Sequence, residues 1–173
     1  MNLLPQRWVI LIVINAVYFS VYFHRISPAV LAPYLMETFS TTATSLGAMS
    51  SAYFYPYALG QPIVGMLTDR WGARKVVTLS TLIGFIGALL FGLAPSLFMA
   101  SMARGLIGLG AAGVFIPALK ILLPWFGPQA FAQMNAILLA VGNLAAIVGS
   151  TPYAWLLQEM GWDPAVPPGT KLR

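Results

Sequence analysis

Arg25 is the residue whose position most constrains the chemistry of this chain. It falls inside a long apolar run, roughly Trp8 to Leu35. A charged side chain in hydrocarbon costs at least about 2.5–3.5 kcal/mol on insertion scales, so such a residue normally faces a polar cavity. Tyr18, Tyr22 and Arg25 recur at i, i+4 and i+7 and therefore share one helical face. A guanidinium fork flanked by two phenols suits a carboxylate or a phosphate, because arginine grips both through paired hydrogen bonds. The competing reading is snorkelling to the outer interface, or a structural pair inside a bundle.

Six other positions bear on that site. Tyr53, Tyr57 and Gln61 recur every four residues, either as a hydrogen-bonding cavity wall or as interhelical glue. Arg104 is a second arginine in an apolar run and needs a partner. Asn143 is a polar site in a seam of small residues. His24 is the single histidine and lies about 100° round the helix from Arg25, so it need not face the same cavity. It reads as a proton-responsive group or as a packing hydrogen bond. The apolar runs contain no carboxylate, so a proton-coupling acid is His24, lies elsewhere, or does not exist.

The elements that must position these residues are membrane helices. Hydrophobic residues make up 59% of the 173, against roughly 45–50% in a soluble domain, and the mean hydropathy is +0.82. The net charge of +5 comes largely from scattered single basic residues, which reads as topology control rather than a nucleic-acid surface. The absence of cysteine excludes disulfides, thiol catalysis and Cys-based metal sites, and no cofactor is implied. A helix needs about 20 apolar residues to cross hydrocarbon. Five spans are predicted: Trp8–Leu35, Leu46–Leu67, Val76–Ala94, Leu97–Leu123 and Phe131–Leu157. The Ser/Thr stretch from Glu37 to Ser45 caps the second, and Pro124 to Pro128 break the fourth.

One stretch, Asp69-Arg70-Trp71-Gly72-Ala73-Arg74-Lys75, gathers charges between two apolar runs and must lie at a membrane surface. With the N-terminus in the cytoplasm, Arg7, Arg70, Arg74, Lys75 and Lys120 fall on or near the inner side. Glu37, Glu159 and Asp163 fall outside, as the positive-inside rule expects. Asp69 ends a helix and can pair with Arg70, Arg74 or a facing helix terminus. Gly72 permits a tight turn, while Arg74 and Lys75 reach headgroups. The proline-rich tail 163–173 cannot span a membrane and is expected to be irregular, as in a truncated or frame-shifted product.

The run from Gly65 to Lys75, G-x-L-x-D-R-x-G-x-R-K, resembles the signature between the second and third helices of the major facilitator superfamily. Arg104 with Gly108, Gly110 and Gly113 resembles that family's fourth-helix signature. Tyr22-Phe23-His24-Arg25, followed by Pro33, looks like the first helix of its organic-anion members, the organophosphate:phosphate antiporters and anion:cation symporters. In those proteins an arginine upstream of a proline binds the anion; the symporters carry aspartate where His24 stands. The resemblance covers residues 8–162.

It implies an all-α membrane protein, with residues 1–162 as five helices of an N-terminal six-helix half. It implies a multi-pass carrier of the inner (plasma) membrane, not an enzyme, working by alternating access around a midplane site. Its partners would be a small anionic solute, a coupling ion (a proton or a counter-anion), the bilayer and a C-terminal half. Substrate contacts would be Arg25, Tyr22, Tyr18, Tyr57, Gln61 and Asn143. Gating would fall to Gly65, Asp69, Arg70, Gly72, Arg74, Lys75, Arg104 and Gly108. Such a half is not expected to transport alone. The alternative is a membrane-embedded assembly or regulatory subunit. A membrane enzyme would need a constellation that one histidine and no intramembrane acid do not provide.

Overall fold

The computed structural model describes residues 3–159, which form helices and connecting turns with no strand among them. Residues 160–162 and the expected irregular tail, 163–173, lie outside the described residues. The helices are α1 (Leu3–Val30), α2 (Ala32–Thr38), α3 (Ala43–Ser51), α4 (Phe54–Trp71), α5 (Ala73–Gly92), α6 (Leu97–Ala112), α7 (Phe115–Val148) and α8 (Thr151–Glu159). Among the described residues, three helical segments are long and apolar enough to cross a membrane: Gln6–Val30, Ala73–Gly92 and Leu97–Leu156.

The last of these, 60 residues long, would extend about 90 Å if straight, three times a hydrocarbon core. Gly127, at φ 75° and ψ 167°, interrupts α7 and turns it back. The legs before and after it both pack on α1. Leu11, Ile14 and Tyr18 meet Val114, Ala118 and Leu122 from the first leg, and Met134 and Leu138 from the second. Pro124 was expected to begin the break, yet it is accommodated within the helix. Pro128 opens the second leg, a position where its missing N–H costs nothing.

Five crossings thus emerge, but four are broken where unbroken spans were expected. The expected Trp8–Leu35 is divided at Leu31, and Leu46–Leu67 between α3 and α4 at Ala52–Tyr53. Leu97–Leu123 is divided at Gly113–Val114 and Phe131–Leu157 at Gly149–Ser150. A proline follows each interruption within about one turn: Pro33, Pro56, Pro117 and Pro152. Proline cannot donate to the carbonyl of residue i−4 and its ring crowds that carbonyl. The second span is not among those three because α4, although 18 residues long, carries Gln61, Asp69, Arg70 and two prolines and is less apolar than the others.

The Ser/Thr stretch caps the next helix as expected, and Ser96 adds a second polar cap. The Thr42 hydroxyl accepts from the Ser45 amide at 3.3 Å, and Ser96 opens α6 by accepting from Met99 at 3.3 Å. Between α4 and α5 the turn is Gly72 alone, which serves as C-cap of one helix and N-cap of the next at φ 87°. L side chains resist that backbone conformation.

The centre of the bundle is α6 with the first leg of α7. Ala100, Ala103, Ala112, Ala118 and Leu122 are almost completely enclosed. Helix α6 is flanked by α5 and α4. Small residues let backbones approach, as membrane helices need when no hydrophobic effect drives them together. A methyl on Gly87 would lie 2.8 Å from the Ile107 amide nitrogen, and one on Gly60 would lie 2.9 Å from Ala112. The outward faces carry Val9, Ile12 and Val13 on α1, and Leu82, Phe85 and Leu89 on α5. Large apolar side chains turned outward are what a lipid-facing bundle requires.

Candidate functional site

Tyr18, Tyr22 and Arg25 share one face of α1, as their spacing requires. Tyr18 is buried, and its hydroxyl donates to that of Tyr22 at 3.4 Å. Both phenols seat against Gly142 in the second leg of α7. A Cβ there would stand 2.8 Å from Tyr18 and 3.2 Å from Tyr22. The Arg25 guanidinium lies 5.8 Å from the Tyr22 ring centre and 5.2 Å from that of Phe54. Among the described residues it forms no ion pair. It is half-buried and held by π faces, which attract a cation without neutralising it.

A second arginine stands on the other side of the α3–α4 break. Arg104 is 2% exposed. It donates to the His24 carbonyl at 2.7 Å, and its guanidinium lies 4.9 Å from the centre of the Tyr53 ring. Tyr53 in turn stacks on Tyr57 with centroids 5.8 Å apart. The Arg104 Nε and the Tyr53 hydroxyl are both buried without a hydrogen-bond partner among the described residues. Buried polar atoms are normally paired, so these two are exceptions in an otherwise closely packed cluster.

The break between α3 and α4 places these groups. Tyr53 and its neighbour Phe54 face different arginines, as consecutive helical residues about 100° apart can. Gly108 makes the approach possible: a side chain at that position would run into the Tyr53 carbonyl. The role of Phe54 and the coupling of Arg104 to α1 were not read from the sequence. An aromatic pair just before Pro56 was the available signal.

The other expected site residues divide. Tyr57 joins the cluster through Tyr53. Gln61, half-buried on α4, sits two turns beyond Tyr53, about 12 Å along the axis. Asn143 is exposed and makes no side-chain hydrogen bond among the described residues. The structure does not bring these two to Arg25. His24 faces a separate groove of about 310 Å³ between α1 and α5, with Ser20, Ser80, Thr81 and Gly84.

At the opposite end, Asp69 forms an ion pair with Lys120 of α7, rather than with Arg70, Arg74 or a helix terminus as expected. The single-residue turn at Gly72 aligns the end of α4 with the first leg of α7. The two arginines, exposed on either side of that turn, form no ion pair with Asp69 among the described residues. Gly65 has open space where a Cβ would stand.

Residues 11–166 match the sequence profile of the Major Facilitator Superfamily. The chain is 30% identical over 156 residues to the uncharacterized transporter YybO of Bacillus subtilis, covering 90% of this chain and 36% of that protein. It is 33% identical over 132 residues to the probable sulfoacetate transporter SauU of Cupriavidus necator, covering 75% and 31%. In structure it resembles a bacterial homolog of the human lysosomal transporter Spinster, crystallised inward-facing and unoccupied. The TM-score is 0.73 at 23% identity, over 91% of this chain and 36% of that one. The chain thus spans about a third of the length of these relatives.

Proposed function

Because this chain belongs to the major facilitator superfamily, we propose that it supplies one wall of a carrier for a small organic anion. Arg25 would grip the anionic group, with Tyr22 and Tyr18 beside it and Tyr57 across the cavity. Gln61 and Asn143 would line its more distant parts. The observation that carries this reading is the pairing of two intramembrane arginines with aromatic rings and a carbonyl. No Asp or Glu occurs anywhere between Glu37 and Asp69, or between Asp69 and Glu159. A desolvated guanidinium without a counter-charge favours an incoming carboxylate, sulfonate or phosphate.

The names of two relatives lean the same way. One is called a probable sulfoacetate transporter. Another, in Pseudomonas putida and 30% identical, is called a probable galactarate/D-glucarate transporter. Sulfoacetate, galactarate and glucarate are all organic anions. In this proposal residues 1–162 form the N-terminal half, the N-terminus and the Asp69–Lys75 turn lie on the cytoplasmic side, and the membrane is the inner one. A facilitator cavity is built from two halves, so the 173-residue chain reconstituted alone is expected to give no uptake.

Ligand-dependent thermal stabilisation of the purified chain in detergent tests the anion site without requiring transport. Sulfoacetate, D-glucarate or an organophosphate should raise the melting temperature, and Arg25→Gln should remove that shift. Stabilisation by an uncharged sugar, or a shift unaffected by Arg25→Gln, would overturn the reading.

A further inference from the structure

A second basic site lies at the Gly72 end of the bundle, far along α4 from the arginine pair. A cavity of about 440 Å³ opens between the start of α5 and the end of α7's first leg. Arg74, Lys75 and Lys120 supply its cations, with Trp71 and Trp125 among its walls. Asp69, bonded to Lys120, is the one acid beside it among the described residues, so the charge of these groups together stays positive. The first turn of α5 has no acidic residue and no side-chain cap. Its free N–H groups therefore add to the attraction for an anion. Arg74 and Trp125 also border an adjoining cleft of about 400 Å³ walled by Val9 and Ile10 of α1.

We propose that this groove binds an anionic phospholipid: the phosphate lies among Arg74, Lys75 and Lys120, and an acyl chain starts along Val9 and Ile10. The arrangement has the parts a lipid needs and a soluble anion does not. Cations sit at one end, an apolar trough leads away from them, and tryptophans stand where polar and apolar regions meet. A free phosphate would leave the Val9–Ile10 cleft unused. The inference rests on the membrane-spanning fold and not on which solute is carried.

Native mass spectrometry of the purified 173-residue chain in detergent, with phosphatidylglycerol and phosphatidylcholine in competition, tests it. Phosphatidylglycerol should be retained at least about fivefold over phosphatidylcholine, as a headgroup worth about 1 kcal/mol per basic residue implies. Arg74→Gln with Lys75→Gln should abolish the preference, whereas Arg74→Lys with native Lys75 should keep most of it. Arg70→Gln removes a charge from the same turn without touching the groove and should leave the preference intact. An equal loss with Arg70→Gln would mean bulk surface charge and overturn the site. Displacement of the lipid by millimolar inorganic phosphate would show a general anion site and overturn the lipid assignment. A double variant that keeps its helical circular dichroism and still prefers phosphatidylglycerol would also overturn it. None of these results depends on solute binding at Arg25.

Discussion

The carbonyl of Tyr53 fills the space that a side chain on Gly108 would need, so α6 and the α3–α4 break touch backbone to backbone. This contact sets how far Arg104, one turn earlier on α6, can reach toward Tyr53 and α1.

Gly108→Ala should therefore destabilise the bundle by about 1–3 kcal/mol, the usual cost of overpacking a tight interface. Gly65→Ala, with open space around it, should change stability by no more than about 0.5 kcal/mol. Unfolding by sodium dodecyl sulfate in mixed micelles gives both numbers. Equal effects at the two positions would contradict the packing described.

Arg104→Leu strips the donor from the His24 carbonyl and should cost about 1–3 kcal/mol, the penalty for an unpaired buried acceptor. Tyr53→Phe removes a hydroxyl that has no partner among the described residues, so stability should hold or rise slightly. A marked loss of stability in Tyr53→Phe would show that the hydroxyl is already engaged.

Arg25→Lys keeps the charge but loses the planar fork. In a full-length carrier it should weaken anion binding by at least about tenfold, which is 1.4 kcal/mol, with expression near normal. Arg70→Gln and Arg74→Gln should leave equilibrium binding largely unchanged and slow the transport cycle. Wild-type affinity in Arg25→Lys, or failure of that variant to insert, would point to a purely structural arginine.

The Asp69–Lys120 pair is partly solvated, with side chains 68% and 43% exposed. Its coupling energy in a double-mutant cycle should be only about 0.2–1 kcal/mol and should shrink with salt. Its larger effect should be on conformational exchange. Spin labels placed on α4 and α7 should show greater spread in Asp69→Asn if the pair holds those helices together.

The all-helical fold was legible because hydropathy, span length and the charged turn all pointed one way. The face shared by Tyr18, Tyr22 and Arg25 followed from helical periodicity alone. The breaks were harder to read. Apolar runs such as Leu97–Leu123 look continuous to any measure of hydropathy, and the carbonyl that a proline orphans lies four residues upstream of it. Long-range partners were also hidden: the pairing of Asp69 with Lys120 and of Arg104 with the His24 carbonyl depends on packing, which spacing along one chain does not encode. Gln61 illustrates the same limit. Its four-residue rhythm with Tyr53 and Tyr57 is real, but a rhythm fixes a face and not a depth.

The reversal at Gly127 also bears on how the chain is made. Between Arg104 and Glu159 the sequence carries a single charge, Lys120. Insertion machinery that reads flanking lysines and arginines therefore meets a predominantly apolar stretch in which Lys120 is the one electrostatic sign of where a crossing ends. The division is conformational instead, set by one left-handed glycine with a proline directly after it. The two legs are therefore set side by side against α1 by backbone geometry at one residue, with no charged loop between them.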